Sequence, residues 1–228
     1  MDSSNYFQFV VFYIDMDLIF ALITIVILIY SAILHEIAHG YVAYRLGDPT
    51  AKLLGRLTLD PRPHIDPIMS IALPLILILS GSPVIFGAAK PVPVDGFNLR
   101  DGRKDIAIVS LVGPFTNFLI AVISALVIKL LIVLPLDPAL SGILNWLLLT
   151  IVRINLLLGI FNLIPIPPLD GSKVFSLLLP DKYAASYLSI GSIGIFILFF
   201  LLMFPIGGFS LGGFIFSLLS FAEKLLGI

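Results

Sequence analysis

Long apolar runs are the feature of this sequence that most restricts the folds open to it. The run from Leu18 to Leu34 contains no charged residue, and only 12% of the 228 residues are charged. A helix needs about 20 apolar residues to cross a hydrocarbon core roughly 30 Å thick. The sequence therefore predicts an all-α polytopic membrane protein with one membrane-embedded domain over residues 1–228. The five predicted spans are at about 18–44, 106–134, 142–164, 184–204 and 207–226.

The composition argues against several classes of function. The formal net charge of −1 argues against nucleic acid as a partner. The chain has no cysteine, so it has no disulfide, no thiolate metal ligand and no cysteine nucleophile. No basic residue precedes the first apolar run, which therefore predicts a retained span and not a cleaved signal peptide.

Lysine and arginine residues predict the orientation of the chain. They cluster in residues 45–67 and 87–105, whereas residues 1–17 and 135–141 contain none. By the positive-inside rule, the basic connections lie in the cytoplasm and the N-terminus lies outside. Residues 68–86 between them are apolar but are interrupted by prolines and glycines. We expect a re-entrant or interfacial segment there, with a pair of short crossings as the alternative.

The basic connections also predict a short β or extended cytoplasmic insert. Residues 55–59 alternate between polar and apolar side chains like a short strand. Residues 90–95 contain two prolines and read as extended chain.

Three ionisable residues follow the first apolar run in the pattern H-E-x-x-H. His35 and His39 are four residues apart, so on a helix both imidazoles lie on one face. Two imidazoles in this arrangement can bind one Zn²⁺, and Glu36 beside them can take a proton from an attacking water. The pattern also occurs by chance. The alternative is a helix end with two interfacial histidines and a glutamate that reaches the headgroups.

A third ligand is needed, because catalytic zinc commonly has three protein ligands and one open position. The first and third predicted spans run in the same direction, so their C-terminal ends lie at the same depth. His35 and His39 are near the end of the first span, and Asp170 follows the end of the third, which is interrupted by prolines. A carboxylate there would be costly without a cation. His64, the remaining histidine, is the rival ligand, and an Asp-Gly turn is the alternative role for Asp170.

Three motifs together resemble those of the site-2 proteases, which are membrane-embedded zinc metalloproteases. They are H-E-I-A-H at 35–39, G-P-F-T-N at 113–117 and P-L-D-G at 168–171. The stretches GDPTAKLLGRLTLDP, HIDPI and AKPVPVD resemble the compact prokaryotic branch, and the likeness covers about residues 30–175. It implies a three-helix catalytic core and one zinc ion held by the two histidines and Asp170. We expect no PDZ or CBS domain, which many members carry.

The remaining candidate residues are polar side chains in apolar surroundings. Asn117 is a candidate for a hydrogen bond to the substrate backbone or to the oxyanion, with a bridge between two helices as the alternative. Asn162 and His64 are further candidates for substrate contacts, although Asn162, like Asn155, also fits a structural role. Arg153 in the third span needs an acidic or carbonyl partner.

The resemblance to the site-2 proteases also implies a zinc-dependent endopeptidase that cleaves within or near transmembrane segments of its substrates. The predicted catalytic core is at about 18–175, with Glu36 as general base, and the accessory spans are at about 184–226. The expected partners are transmembrane protein substrates and the bilayer of the cell membrane, and the site lies near the cytoplasmic face. A membrane metal-ion transporter and a catalytically inactive scaffold are the alternatives, and the lack of an evident repeat counts against the transporter.

Overall fold

The computed structural model describes residues 18–72, 76 and 89–228, and this part of the chain is mostly α-helical. The helices are α1 (Leu18–Leu46), α2 (Thr50–Leu53), α3 (Gly102–Ile132), α4 (Pro138–Asn162), α5 (Asp170–Phe175), α6 (Asp181–Leu188), α7 (Gly191–Met203) and α8 (Leu211–Leu226). Short 3₁₀ segments at Arg62–His64 and Ser176–Leu178 and a π-helical segment at Pro67–Ala72 lie between them.

Three helices, α1, α3 and α4, are long and apolar enough to cross a membrane. α1 runs parallel to α4, since Phe20 packs against Trp146 near their N-terminal ends and Ser31 meets Asn155 further along. α3 is antiparallel to both and is joined to α4 by a short turn. Because α1 and α4 run the same way, their C-terminal ends reach the same end of the bundle, as the sequence predicted.

Small side chains allow α3 and α4 to pack closely. Ala121 and Ala125 of α3 are buried against Val152 and Leu156 of α4. The three long helices also expose many large apolar side chains on their outer faces. Small residues between helices and large apolar residues outside them are typical of helices that pack in lipid.

The region after α5 differs from the two predicted accessory spans. Residues 184–204 do not form one helix, because α6 and α7 meet at an angle of 72° and amount to at most one broken span. α8 has 16 residues and follows a tight turn between Ile206 and Phe209. The described residues thus contain three continuous helices that are candidate membrane spans, or four candidates if the bent pair counts as one.

The direction of α8 also differs from the sequence prediction. Two complete crossings after α4 would make the last helix parallel to α4. The structure instead places Leu211 of α8 near Ile164, at the end of α4, and pairs Glu223 with Arg153 at 2.8 Å, so α8 is antiparallel to α4. Lys224, near the end of α8, therefore lies at the opposite end of the bundle from the basic connections 45–67 and 87–105. The ion pair supplies the acidic partner that Arg153 was predicted to need.

The predicted strand at 55–59 is wrong, and the described residues contain no β-sheet. Gly55 has a φ of +65°, and the N–H of Arg56 donates to the carbonyl oxygen of Ala51 at 2.9 Å. The chain turns at the end of α2 and uses locally the donors that a strand would offer to a neighbour. Most of the predicted re-entrant segment (73–75 and 77–86) and residues 1–17 lie outside the described residues.

Candidate metal centre

Two imidazoles and one carboxylate meet at the end of the helix bundle. The Nε2 atoms of His35 and His39 lie 2.9 Å apart, and each is 3.1 Å from Oδ2 of Asp170. All three side chains are buried. Among the described residues, they are the group of histidine and carboxylate side chains that could hold a metal ion. The structure thus brings together the three residues that the sequence predicted as ligands.

The position of Asp170 depends on the turn between α4 and α5. Asp170 is the first residue of α5, a helix of six residues. Gly171 lets this helix approach the end of α4, because a Cβ there would overlap the carbonyl oxygen of Leu163. The hydroxyl of Ser172 donates to the carbonyl oxygen of Leu169 at 2.6 Å and closes the turn.

Arg103, near the start of α3, holds the chain that follows α5. Its Nη1 donates to the carbonyl oxygens of Ser176 and Leu179, both at 3.1 Å, and its Nη2 pairs with Asp181 at 2.7 Å. The last carbonyls of a short helix have no helical donors of their own. Arg103 supplies donors to this chain end and ties the segment that begins with Asp170 to α3.

Hydrogen bonds behind the two rings determine which nitrogen carries the proton. Nδ1 of His39 lies 2.7 Å from the carbonyl oxygen of Val109, and Nδ1 of His35 lies 2.6 Å from Oδ1 of Asn117. Both partners accept, so each Nδ1 donates and each Nε2 of a neutral ring keeps its lone pair. Acceptors in this position are usual behind metal-binding histidines.

The converging atoms fit a zinc ion. Two unprotonated nitrogens and a carboxylate oxygen repel one another unless a cation or a proton lies among them. A tetrahedral zinc site with ligand bonds of about 2.0–2.2 Å holds its ligand atoms roughly 3.4 Å apart, which is close to the separations found here. Two nitrogens and one oxygen also leave a fourth position open, as in catalytic zinc sites.

Asp170 presents only one of its oxygens to the histidines. Its Oδ1 accepts from Nζ of Lys173 at 3.1 Å, while Oδ2 faces the two Nε2 atoms. Lys173 lies one turn further along α5 and is partly exposed. Its charge therefore helps to hold the buried carboxylate in the ionised form that a metal requires.

The G-P-F-T-N motif lies on α3 directly beside the rings. A Cβ on Gly113 would come within 2.6 Å of Cε1 of His35. Asn117, one turn later, is fully buried and donates from Nδ2 to Oδ1 of Asn155 at 2.9 Å. Both polar ends of the Asn117 amide therefore have partners within the protein. The predicted hydrogen bond to substrate or oxyanion would require one of these partners to be released, and it stays a prediction.

Glu36 is adjacent to His35 on α1, and its carboxylate contacts the segment 90–95. Its Oε2 accepts from the backbone N–H of Val92 at 2.6 Å. Val92 is buried against Gly40 of α1, where an added Cβ would lie 2.8 Å from Cγ1 of Val92. The segment contains neither helix nor strand, and it packs directly on the helix that carries the H-E-x-x-H motif.

The other two candidate residues make separate contacts. Nε2 of His64 lies 3.0 Å from the carbonyl oxygen of Thr58, and Nδ2 of Asn162 donates to the carbonyl oxygen of Leu158 within α4 at 3.0 Å. In the part of the chain that the structure describes, no hydrogen bond joins either side chain to the metal-binding group. Their predicted substrate contacts stay predictions.

Several residues that support the site were not predicted for this role. Asn155 was identified as a polar residue in an apolar span, but its link to Asn117 depends on helix packing that the sequence does not show. Lys173 and Arg103 have no distinguishing sequence signal. The Val109 contact involves a backbone carbonyl, which no residue type reveals.

Sequence comparisons connect the chain to known metalloproteases. The sequence model of peptidase family M50 matches residues 132–205, a region that includes Asp170 but not the H-E-x-x-H motif. The chain is similar to "Putative zinc metalloprotease YwhC" of Bacillus subtilis (strain 168), with 35% identity over 189 residues. This alignment covers 82% of this chain and 83% of that protein.

Two longer proteins are also similar. "Putative zinc metalloprotease Rip2" of Mycobacterium tuberculosis (strain ATCC 25618 / H37Rv) is 35% identical over 141 residues, which are 62% of this chain and 51% of that protein. "Zinc metalloprotease MJ0392" of Methanocaldococcus jannaschii is 28% identical over 165 residues, which are 72% of this chain and 37% of that protein. The alignments thus cover most of YwhC, about half of Rip2 and a smaller share of MJ0392. No solved structure matches the chain.

Proposed function

Since the chain belongs to the site-2 proteases, peptidase family M50, it is a zinc metalloprotease, and we propose that it hydrolyses peptide bonds within or near the membrane-spanning helices of other proteins. The observation that carries this proposal is the convergence of His35 Nε2, His39 Nε2 and Asp170 Oδ2. These atoms lie at the end of three helices that are long and apolar enough to cross a membrane. A site in this position favours substrates that are themselves embedded in the bilayer.

We assign the roles of the site residues with the support of their contacts. We assign His35, His39 and Asp170 as the ligands of zinc, which when bound polarises the scissile carbonyl and lowers the pKa of water. Glu36 takes a proton from the attacking water and passes it to the leaving amine. The N–H of Val92 holds Oε2 of Glu36 at 2.6 Å, so we assign the proton transfer to the other oxygen, Oε1.

The segment 90–95 is the best candidate for a substrate contact. A substrate helix must unwind before cleavage, because its carbonyls are engaged in its own hydrogen bonds. Nη2 of Arg56 holds the carbonyl oxygens of Lys90 and Pro91, at 2.7 and 3.2 Å, beside the Val92–Glu36 contact. The backbone of Val94 makes no hydrogen bond within the described residues. It therefore offers a donor and an acceptor to an extended substrate strand.

The orientation in the membrane is part of the proposal. The positive-inside rule places the basic residues that surround the site, in the connections 45–67 and 87–105, in the cytoplasm. The metal-binding group lies at the same end of the bundle as these connections. We therefore place the site near the cytoplasmic face of the cell membrane, with water reaching it from that side and the N-terminus outside.

The test compares wild type with Glu36→Gln in detergent. Both proteins are analysed for bound zinc and then incubated with a panel of single-span substrates. We expect the variant to keep its zinc and to lose cleavage by about 10²–10⁴-fold, because the general base is lost. Glu223→Gln is the matched control, since Glu223 is the other glutamate of the chain and pairs with Arg153 away from the site.

Full cleavage by the Glu36 variant would refute the role assigned to this residue. Wild-type protein that binds zinc but cleaves no member of the panel, and instead moves Zn²⁺ across liposomes, would favour transport.

A further inference from the structure

A chain of buried hydrogen bonds connects His35 to α4. Oδ1 of Asn117 lies 2.6 Å from Nδ1 of His35, and Nδ2 of Asn117 lies 2.9 Å from Oδ1 of Asn155. Nδ2 of Asn155 lies 2.9 Å from both Oγ of Ser31 and the carbonyl oxygen of Ile151. Asn117 and Asn155 are completely buried. This row of hydrogen bonds connects α1, α3 and α4 and contains no Asp, Glu, Lys or Arg side chain.

The direction of these hydrogen bonds follows from the last member of the chain. A backbone carbonyl only accepts, so the Asn155 atom that faces Ile151 must be the amide nitrogen. The oxygen of Asn155 therefore faces Asn117, which must present its own nitrogen to it. The oxygen of Asn117 is then the atom that faces His35, and Nδ1 of His35 must carry the proton. Reversing one amide alone would set two donors or two acceptors against each other in a buried position.

The two histidines differ in what fixes their protonation. His39 donates to the carbonyl oxygen of Val109, which belongs to the backbone and is present whatever side chain stands there. His35 depends on the amide of Asn117, whose two ends can exchange places by rotation. Within the described part of the chain, the contact with Asn155 is the one that decides which end faces the ring.

We propose that Asn155 is a positioning residue which, acting through Asn117, fixes the tautomer of His35 that can bind zinc. The inference rests on the proposed metal site, because the proton on Nδ1 is what leaves the Nε2 lone pair facing His39 and Asp170. Without Asn155, the amide of Asn117 is free to turn its nitrogen toward His35. The ring proton then moves to Nε2, where it opposes binding of the metal.

Two substitutions of Asn155 separate this role from simple packing. Asn155→Leu has a similar volume but offers Asn117 no acceptor, and we expect it to weaken zinc binding by about 10- to 100-fold. Asn155→Asp, as the neutral carboxylic acid in this buried position, donates its hydroxyl to the carbonyl oxygen of Ile151 and keeps an oxygen that accepts from Asn117, and we expect it to retain near wild-type affinity. Thr150→Val is the matched control on the same helix, because the hydroxyl of Thr150 donates only to the carbonyl oxygen of Trp146.

The readouts are zinc affinity, measured by competition with a chelator, and the position of the His35 proton. The second is measured by ¹⁵N NMR of the metal-free, histidine-labelled chain in micelles, at a pH where one proton lies among the three converging atoms, on Nε2 of His39, and the ring of His35 is neutral. The chain has three histidines, so substitution of His39 and His64 by Gln assigns the ring signals. We expect the proton on Nδ1 in wild type, Asn155→Asp and Thr150→Val, and on Nε2 in Asn155→Leu.

The possible outcomes distinguish this inference from the proposed function. A wild-type His35 with its proton on Nε2 overturns the inference without any variant, so the test survives a variant that fails to fold. Asn155→Leu with the proton on Nδ1 and wild-type zinc affinity also overturns it, while the protease proposal stands. Wild-type protein that does not bind zinc through His35, His39 and Asp170 overturns both.

Discussion

Gly113 lies so close to His39 that α3 has no room for a side chain at this position. A Cβ on Gly113 would come 2.5 Å from Cε1 of His39 and 2.6 Å from Cε1 of His35. This approach brings the Val109 carbonyl and the Asn117 amide, one turn before and one turn after Gly113, within hydrogen-bond distance of the two Nδ1 atoms. One glycine therefore sets the spacing between the helix that carries the histidines and the helix that orients them.

Gly113→Ala is expected to weaken zinc binding by at least about tenfold, roughly 1.4 kcal/mol, because the new methyl group must push both imidazoles or the whole of α3 aside. Zinc affinity is measured by competition with a chelator, and cleavage of a single-span substrate is measured in parallel. Gly142→Ala on α4 is the matched control, since a Cβ there would meet nothing within 4 Å. Wild-type zinc affinity in Gly113→Ala would show that the rings tolerate displacement and that the spacing is not essential.

Lys173→Met is expected to reduce zinc affinity by about tenfold, because Oδ1 of Asp170 loses its partner and the ligand is free to rotate. Methionine keeps most of the length of the side chain and removes only its charge and its donors. Chelator competition measures the change. The control is Lys182→Met, which removes a lysine whose Nζ lies over the ring of Tyr183, 5.9 Å from the ring centroid. An equal loss of zinc affinity in both variants would mean that the positive charge near the site matters and not the contact between Lys173 and Asp170.

Much of the site could be predicted from the sequence, because its ligands lie in motifs with a fixed local geometry. The i, i+4 spacing of His35 and His39 determines their common face on any helix. The parallel direction of α1 and α4 follows from the alternation of spans, and it brings Asp170 to the same end. The contacts that orient these ligands involve packing distances and backbone atoms. The sequence does not reveal them.

The C-terminal third was harder to predict, because hydropathy reports apolar length but not bends. Residues 184–204 are apolar enough for a span, yet the structure bends between α6 and α7. Gly191 lies at this bend with a φ of +30°, and a Cβ on Gly194 would overlap the carbonyl oxygen of Pro167. α7 therefore packs on the turn after α4, where the tertiary contact overrides the preference for one straight helix.

Arg103→Met is expected to release the chain that follows α5 from α3 and to lower both thermal stability and zinc affinity. Three hydrogen-bonding contacts are lost, to the carbonyls of Ser176 and Leu179 and to Asp181. Buried or half-buried bonds to a charged donor contribute about 1.5–3 kcal/mol each, and the exposed Asp181 contributes less. The Tm of Arg103→Met is measured with and without zinc and compared with the Tm of Asp181→Asn, which removes only the ion pair between Arg103 and Asp181. A similar loss in both variants would place the effect in the ion pair and not in the capped carbonyls.

Asp48, directly after α1, is the expected source of an acid-sensitive step in stability. It is completely buried and accepts hydrogen bonds from Thr50, from the N–H of Asp95 at 2.7 Å and from the amide of Asn98 at 3.1 Å. Burial acts to raise the pKa of this carboxyl, but the hydrogen bonds from Thr50, Asp95 and Asn98 outweigh it and hold the pKa below its usual value. The carboxylate thus links the turn after α1 to the end of the segment that contacts Glu36.

Asp48→Asn is expected to destabilise the chain at pH 7 by about 1–3 kcal/mol, because its amide nitrogen would face donors that the carboxylate satisfied. A depressed pKa adds stability that is complete above the unfolded value near 3.9 and is lost as the pH falls through the folded value. The difference in Tm between wild type and variant should therefore be constant from pH 7 to about pH 5 and shrink below about pH 4. Asp60→Asn is the control, since Asp60 pairs with Arg62, whose side chain is 86% exposed, and little change is expected. A Tm difference that stays the same down to pH 3 would mean that the loss in Asp48→Asn comes from altered packing and not from the carboxylate charge.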